Sequence, residues 1–90
     1  MNNASYAELS AHYVVLYTRR GCHLCDEALQ MLHQHGLVPL CIDIDDDPTL
    51  RNKFDACVPV VEIEGRVRFR GGVHPVLLRR IIRAPNMLTG

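Results

Sequence analysis

The stretch Arg19-Arg20-Gly21-Cys22-His23-Leu24-Cys25-Asp26 decides how the rest of the chain is read. It follows an apolar run, Tyr13-Val14-Val15-Leu16-Tyr17, and it opens a segment in which Cys25, Ala28, Leu29 and Leu32 recur at helical spacing. A Cys-x-x-Cys pair at a strand-to-helix turn is the placement of a redox motif. Residues three apart share a helix face, so Cys22 and Cys25 approach closely enough to form a disulfide. Cys22 falls at the first turn, where unpaired N–H groups and the positive end of the helix dipole favour an anion. Arg19, Arg20 and His23 add positive or polarisable neighbours. All of these favour thiolate over thiol, and the thiolate is the nucleophile.

The rest of the chain fits around this turn. His12 to Thr18 reads as a first strand, apolar on both faces and therefore central. The helix after the cysteines carries Asp26 and Glu27 where the dipole favours them, and Gly36 stops it. His33 and His35 read as solvated last-turn residues. Leu37 to Ile44 reads as a second strand with Cys41 as a core thiol. The run Asp43-Ile44-Asp45-Asp46-Asp47-Pro48 lacks the spacing, glycine and terminal glutamate of a calcium loop and reads as a solvated turn. Asp47 caps a second helix that Pro48 begins and that runs to about Asp55, with Leu50 and Phe54 on its buried side.

Val58 to Glu62 or Ile63 is a third strand. Its proline sits at the start, where a cis Val58-Pro59 bond accounts for it. Glu64-Gly65 is a tight hairpin turn. Arg66-Val67-Arg68-Phe69-Arg70 then alternates strictly, which predicts an edge strand with one wet face. Gly71-Gly72 breaks it. Pro75 starts a last helix with Leu77, Leu78, Ile81 and Ile82 on one face and Arg79, Arg80 and Arg83 on the other; Pro85 ends it. The two arginine groups read as edge protection and solvated surface. The order β-α-β-α-β-β-α joins a parallel pair by a right-handed crossover and adds a hairpin, so an α/β four-stranded mixed sheet with helices on both faces follows.

Ninety residues suit one small domain, 11–84, with a polar, loose N-terminus at 1–10, where Ala7, Leu9 and Ala11 suggest a short lead-in turn, and a tail at 85–90. Formal net charge is zero, which gives no electrostatic case for nucleic acid or an anionic membrane. No apolar run approaches the ~20 residues of a membrane span, and the N-terminus lacks a signal pattern. A cytoplasmic address and a monomer are the default expectations. In a reducing compartment the four cysteines are expected as thiols, catalytic groups or metal ligands ahead of structural disulfides.

Three landmarks resemble the glutaredoxin and thioredoxin superfamily: Cys22-His23-Leu24-Cys25 at its turn, Val58-Pro59-Val60 where that superfamily has its cis-proline, and Gly71-Gly72 before the last helix. Within it, the chain looks like a branch of small glutaredoxin-like proteins with a Cys-His-Leu-Cys site. The resemblance covers roughly residues 12–83 and implies the strand order 2-1-3-4. It also implies a glutathione site. In glutaredoxins a basic residue three positions before the first cysteine contacts a glutathione carboxylate, which is the place of Arg19. The Val58-Pro59 backbone would pair with the tripeptide by strand addition, and Gly71-Gly72 would border it. Two departures stand out. Val73 and His74 follow the glycines where polar or acidic residues are usual, and Cys57 stands where threonine is frequent.

The reading that results is a thiol–disulfide oxidoreductase acting on protein or glutathione-mixed disulfides, with a reductase as electron donor and no cofactor beyond glutathione as co-substrate. Cys22 attacks, Cys25 resolves, and Arg19, His23, Val58, Pro59, Gly71 and Gly72 contact substrate. His23 is expected to make the pair more oxidising than a thioredoxin's. Two alternatives stand beside it: a metal or iron–sulfur protein using Cys22 and Cys25, with Cys57 or a second chain, and a binding module that has lost turnover. Cys57 is otherwise a small apolar filler.

Overall fold

The computed structural model describes residues 12–83. The lead-in turn at Ala7, Leu9 and Ala11, the loose ends 1–10 and 85–90, and the stop at Pro85 lie outside the described residues.

The first strand, β1 (Val14–Thr18), is β-branched and aromatic, and Val14, Val15 and Leu16 are all buried. A strand buried on both faces must lie inside a sheet. It does: β1 pairs in parallel with β2 (Leu40–Asp43) and antiparallel with β3 (Val60–Ile63), and β4 (Arg66–Arg70) pairs with β3, giving the order β2-β1-β3-β4. This is the order the glutaredoxin resemblance implied.

Three helices cover the two faces. On one, α1 (His23–Gln34) and α3 (Pro75–Arg83) bring Ala28, Leu32 and Leu78 onto Val14, Leu16, Val61, Ile63 and Phe69. On the other, α2 (Pro48–Phe54) packs Phe54 with Ile44 and Val60, and the Phe54 ring lies 4.7 Å from that of Tyr17. Leu78 is fully buried, whereas Leu77 on the same helix stays 43% exposed, so the apolar face of α3 is narrower than its four aliphatic residues suggest.

Local chemistry sets the ends of these elements. The α1 C-terminus closes with Leu37 N–H donating to Leu32 O at 2.9 Å and Gly36 N–H to His33 O at 2.9 Å, the paired bonds of a Schellman stop. Asp47 caps α2, its Oδ1 accepting from Thr49 N–H at 2.9 Å, with Pro48 in the first turn. The β3–β4 hairpin turns on Glu64 (φ 55°) and Gly65 (φ 81°), both left-handed as a two-residue turn between twisted strands requires. Glu64 is held there from two sides: its N–H donates to Tyr13 O at 2.9 Å, and its carboxylate accepts from Tyr13 N–H at 2.9 Å.

Three expectations are corrected. The second strand starts at Leu40 and not at Leu37, because Leu37 is drawn under α1 and Ile44 belongs to a 3₁₀ turn, Ile44–Asp46. Cys41 is exposed. It lies on an outer strand with a neighbour on one side only, where an apolar residue need not be covered. Finally, β4 does not keep one wet face. Its pairing with β3 slips between Val61↔Phe69 and Glu62↔Val67, leaving Arg68 as a bulge residue. The slip turns Phe69 toward α1 and α3 and Val67 toward the α2 core, so each face receives one apolar side chain.

Candidate active site

The register places several segments at one end of the sheet. Val60 lies opposite Tyr17 and Arg70, so Pro59 is level with Thr18 on one side and Gly71 on the other. The turn into α1 leaves β1 at that same end. In open α/β sheets the carboxyl ends of the parallel strands are where ligands bind.

At the turn, Gly21 adopts φ 74°, a left-handed conformation that lets the chain swing from strand to helix. Cys22 then takes an extended conformation and becomes the N-cap of α1, one position outside the first helical turn. Its Sγ accepts from Cys25 N–H at 3.1 Å, and its carbonyl accepts from Cys25 N–H at 3.1 Å and Asp26 N–H at 3.2 Å. The sulfur therefore does the work that an N-cap oxygen usually does. Cys22 and Cys25 form a disulfide, with Cα atoms 5.1 Å apart. Their environments differ: Cys22 is partly exposed and Cys25 is 2% exposed. Between them, His23 points to solvent and pairs with Glu27, Nε2 to Oε2 at 2.9 Å, while Leu24 is 50% exposed.

The Val58–Pro59 peptide is cis. Pro59 is buried, and Gly71 N–H donates to both Cys57 O (2.9 Å) and Pro59 O (2.8 Å), tying the end of β4 to the proline segment. Among the described residues the N–H and C=O of Val58 take part in no backbone hydrogen bond. A shallow groove of about 130 Å³ runs between α1 and the glycine turn, lined by Leu24, Glu27, Ala28, Met31, Gly72 and Val73. The groove joins the turn at Leu24 to the glycine turn at Gly72, and the register sets the proline segment at the same end of the sheet.

Arg19 is occupied. Its Nε and Nη2 donate to the two oxygens of Asp45 at 3.0 and 2.8 Å. Nη2 also donates to Asp55 Oδ1 at 2.9 Å, and Nη1 to Asp55 O at 3.1 Å. Bonds to Asp45 and then Asp55 raise the guanidinium's pKa further, and the same contact with Arg19 holds the Asp45 carboxyl below the usual carboxylate range. The remaining aspartates serve local structure: Asp43 Oδ1 accepts from Asp45 N–H at 2.9 Å, and Asp47 caps α2. Neither Asp45 nor Asp55 stood out in the sequence as a partner of Arg19, since pairing across 26 and 36 residues leaves no local signal.

The other two described thiols, Cys41 and Cys57, are free. Cys57 is half-buried against the α2 core, with the Arg70 guanidinium 4.0 Å from its Sγ. Cys41 sits on the outer edge at β2, and partial burial pushes its thiol pKa up, away from reactivity.

A mixed four-stranded sheet in the order 2-1-3-4, covered by α1 and α3 on one face and α2 on the other, with a Cys-x-x-Cys at the mouth of α1, defines a thioredoxin-like fold of the glutaredoxin type. Residues 13–83 match the family described as Glutaredoxin-like domain (DUF836), and the chain belongs to it. Among solved structures, it is similar to the structural-genomics target protein XcR50 from X. campestris, at 32% identity and TM-score 0.70, over 80% of this chain and 97% of that one. The fold is also shared with the glutaredoxin of Archaeoglobus fulgidus (19% identity, TM-score 0.59, 92% and 97% of the two chains). A buckwheat glutaredoxin solved as its glutathione complex shares it as well (17%, TM-score 0.55, 76% and 69%). A search of curated proteins finds no significant match. Among the described residues no helix is long and apolar enough to cross a membrane.

Proposed function

We propose that the protein is a dithiol–disulfide oxidoreductase acting on external disulfides, of proteins or mixed with glutathione. The observation that carries this reading is the asymmetry of the Cys22–Cys25 pair. One sulfur is reachable and sits at a helix N-cap facing an N–H donor, and its partner is buried one turn in. In the reduced protein the helix N-terminus stabilises a Cys22 thiolate.

That thiolate attacks one sulfur of the substrate disulfide. The substrate S–S bond breaks, a Cys22–substrate disulfide forms, and the other substrate sulfur leaves as a thiolate that takes a proton from water. Cys25, having lost its proton, attacks Cys22 Sγ, which releases the second substrate sulfur and forms Cys22–Cys25. Two electrons pass to substrate, and a thiol donor, glutathione or a reductase, restores the dithiol. The chemistry resides in the sulfurs and calls for no cofactor. The unpaired backbone of Val58 offers a substrate a strand to add to. Pro59, Gly71, Gly72 and His23 border the bound segment, and Arg19 flanks it on the α2 side. We place the protein in the cytoplasm as a monomer, where a thiol pool keeps the pair supplied with electrons.

The test is reduction of a protein disulfide by wild type, Cys22→Ser and Cys25→Ser. Cys22→Ser is expected to be inactive, and Cys25→Ser to accumulate a mixed disulfide visible by mass spectrometry. Full activity in Cys22→Ser would refute the assignment.

A further inference from the structure

We infer that the Arg19–Asp45–Asp55 cluster sets the substrate class: the site favours disulfides carried on polypeptides and discriminates against small anionic disulfides such as that of glutathione. This rests on the exchange reading above and narrows it.

A guanidinium has five N–H donors in a fixed plane. The four hydrogen bonds of Arg19 take both oxygens of Asp45, one oxygen of Asp55 and the Asp55 carbonyl. One N–H is left over, so a substrate carboxylate that grips Arg19 with both oxygens competes with Asp45 and Asp55, which already neutralise the guanidinium and hold it in place. With two aspartates on one arginine, the cluster itself is negative. Asp43, Asp46 and Asp47 on the adjoining connection outnumber Arg51 and Lys53 of α2. On the opposite flank the groove offers Leu24, Ala28, Met31 and Val73, with Glu27 as its charged residue. On the α2 side a carboxylate therefore meets a cluster of net negative charge, and on the groove side Glu27, which His23 pairs with; Arg70, 4.0 Å from Cys57 Sγ, is the cation beside the proline segment. Arg20 is the other cation of the turn; it is exposed, and a solvated side chain without a held geometry fixes a carboxylate weakly. The occupant that fits is an extended neutral or basic segment. Its backbone lies along Val58, and an apolar side chain beside its cysteine covers Leu24 and Val73.

The experiment measures how fast the reduced protein is oxidised near neutral pH by three disulfides. These are oxidised glutathione, uncharged hydroxyethyl disulfide and a neutral peptide dimer with leucine beside its cysteine. Each rate is divided by that of dithiothreitol with the same disulfide, which removes intrinsic reactivity. Glutathione should fall roughly tenfold below hydroxyethyl disulfide and the peptide roughly tenfold above it. Raising salt from about 0.02 M to about 0.5 M should lift the glutathione rate and leave the uncharged disulfide unmoved, because the repulsion is screened. The Asp45→Asn, Asp55→Asn double variant should raise the ratio of glutathione to hydroxyethyl rates roughly fivefold or more. The salt arm uses wild-type protein and stands whether or not the variant folds.

A wild-type glutathione rate at or above the other two and insensitive to salt overturns the proposal, as does a folded double variant with the wild-type ratio. Failure of all three disulfides to oxidise the dithiol would end the exchange reading and this inference with it. Exchange without discrimination would end only this inference.

Discussion

Gly71 and Gly72 are adjacent, and alanine at each should have opposite effects. Gly71 has φ 82°, a conformation that L-residues adopt at a cost of about 1–2 kcal/mol. Gly72 is outside that region, and a Cβ built on either glycine meets nothing within 4 Å. Clashes with the rest of the fold therefore play no part in either substitution, and what differs is the crowding of a Cβ against its own peptide at positive φ. Both variants gain about 0.4–1 kcal/mol because alanine restricts the unfolded chain. That gain is common to the two and cancels in their difference. The left-handed penalty remains: Gly71→Ala should be about 1–2 kcal/mol less stable than Gly72→Ala, which should equal or exceed wild type. For a domain of this size that separates their melting temperatures by about 4–16 °C. Urea unfolding of the disulfide form, with both variants beside wild type, measures the difference directly. The loss in Gly71→Ala should also loosen its N–H from Cys57 and Pro59, and so slow exchange. Equal stabilities for the two alanine variants would refute the reasoning.

Two further outcomes follow from the charge and exposure of single side chains. Asp45 has its carboxyl pKa lowered from an ordinary value of 3.8 by Arg19, so the folded state holds this proton less tightly than the unfolded one. The resulting stability is fully present above pH 3.8 and is lost as pH falls through the lower folded value. The stability gap between wild type and Asp45→Asn should therefore narrow as pH drops from about 5 to about 2 in unfolding titrations; a gap that widened would contradict the sign. Cys41→Ser should change stability by less than about 0.5 kcal/mol, because the side chain is exposed on an outer strand. A loss above about 2 kcal/mol would restore the core reading of that thiol.

Much of the fold was legible in the chain because its signals are local. The apolar run of β1, the helical spacing after Cys22, the Asp47-Pro48 start and the Glu64-Gly65 turn each depend on a few neighbouring residues, and each is where it was expected. The turn also led to the disulfide. What was missed depends on contacts that sequence does not carry. Strict alternation in Arg66 to Arg70 gave no hint of a bulge at Arg68, because the slip answers to two separate cores at once. The run around Cys41 reads alike in a central and an outer strand. Arg19 was read with its neighbours on the turn, whereas its partners arrive from Asp45 and Asp55. The cap itself was read one position too deep: Cys22 closes the helix from outside and does not sit within it.

The most direct test of the central claim is the pH dependence of alkylation of Cys22 and Cys25 in freshly reduced protein, resolved by peptide mass spectrometry. The account predicts that Cys22 reacts first and at lower pH, with Cys25 following only when it is unmasked. Preferential labelling of Cys25, or equal labelling of both as ordinary thiols, would contradict it.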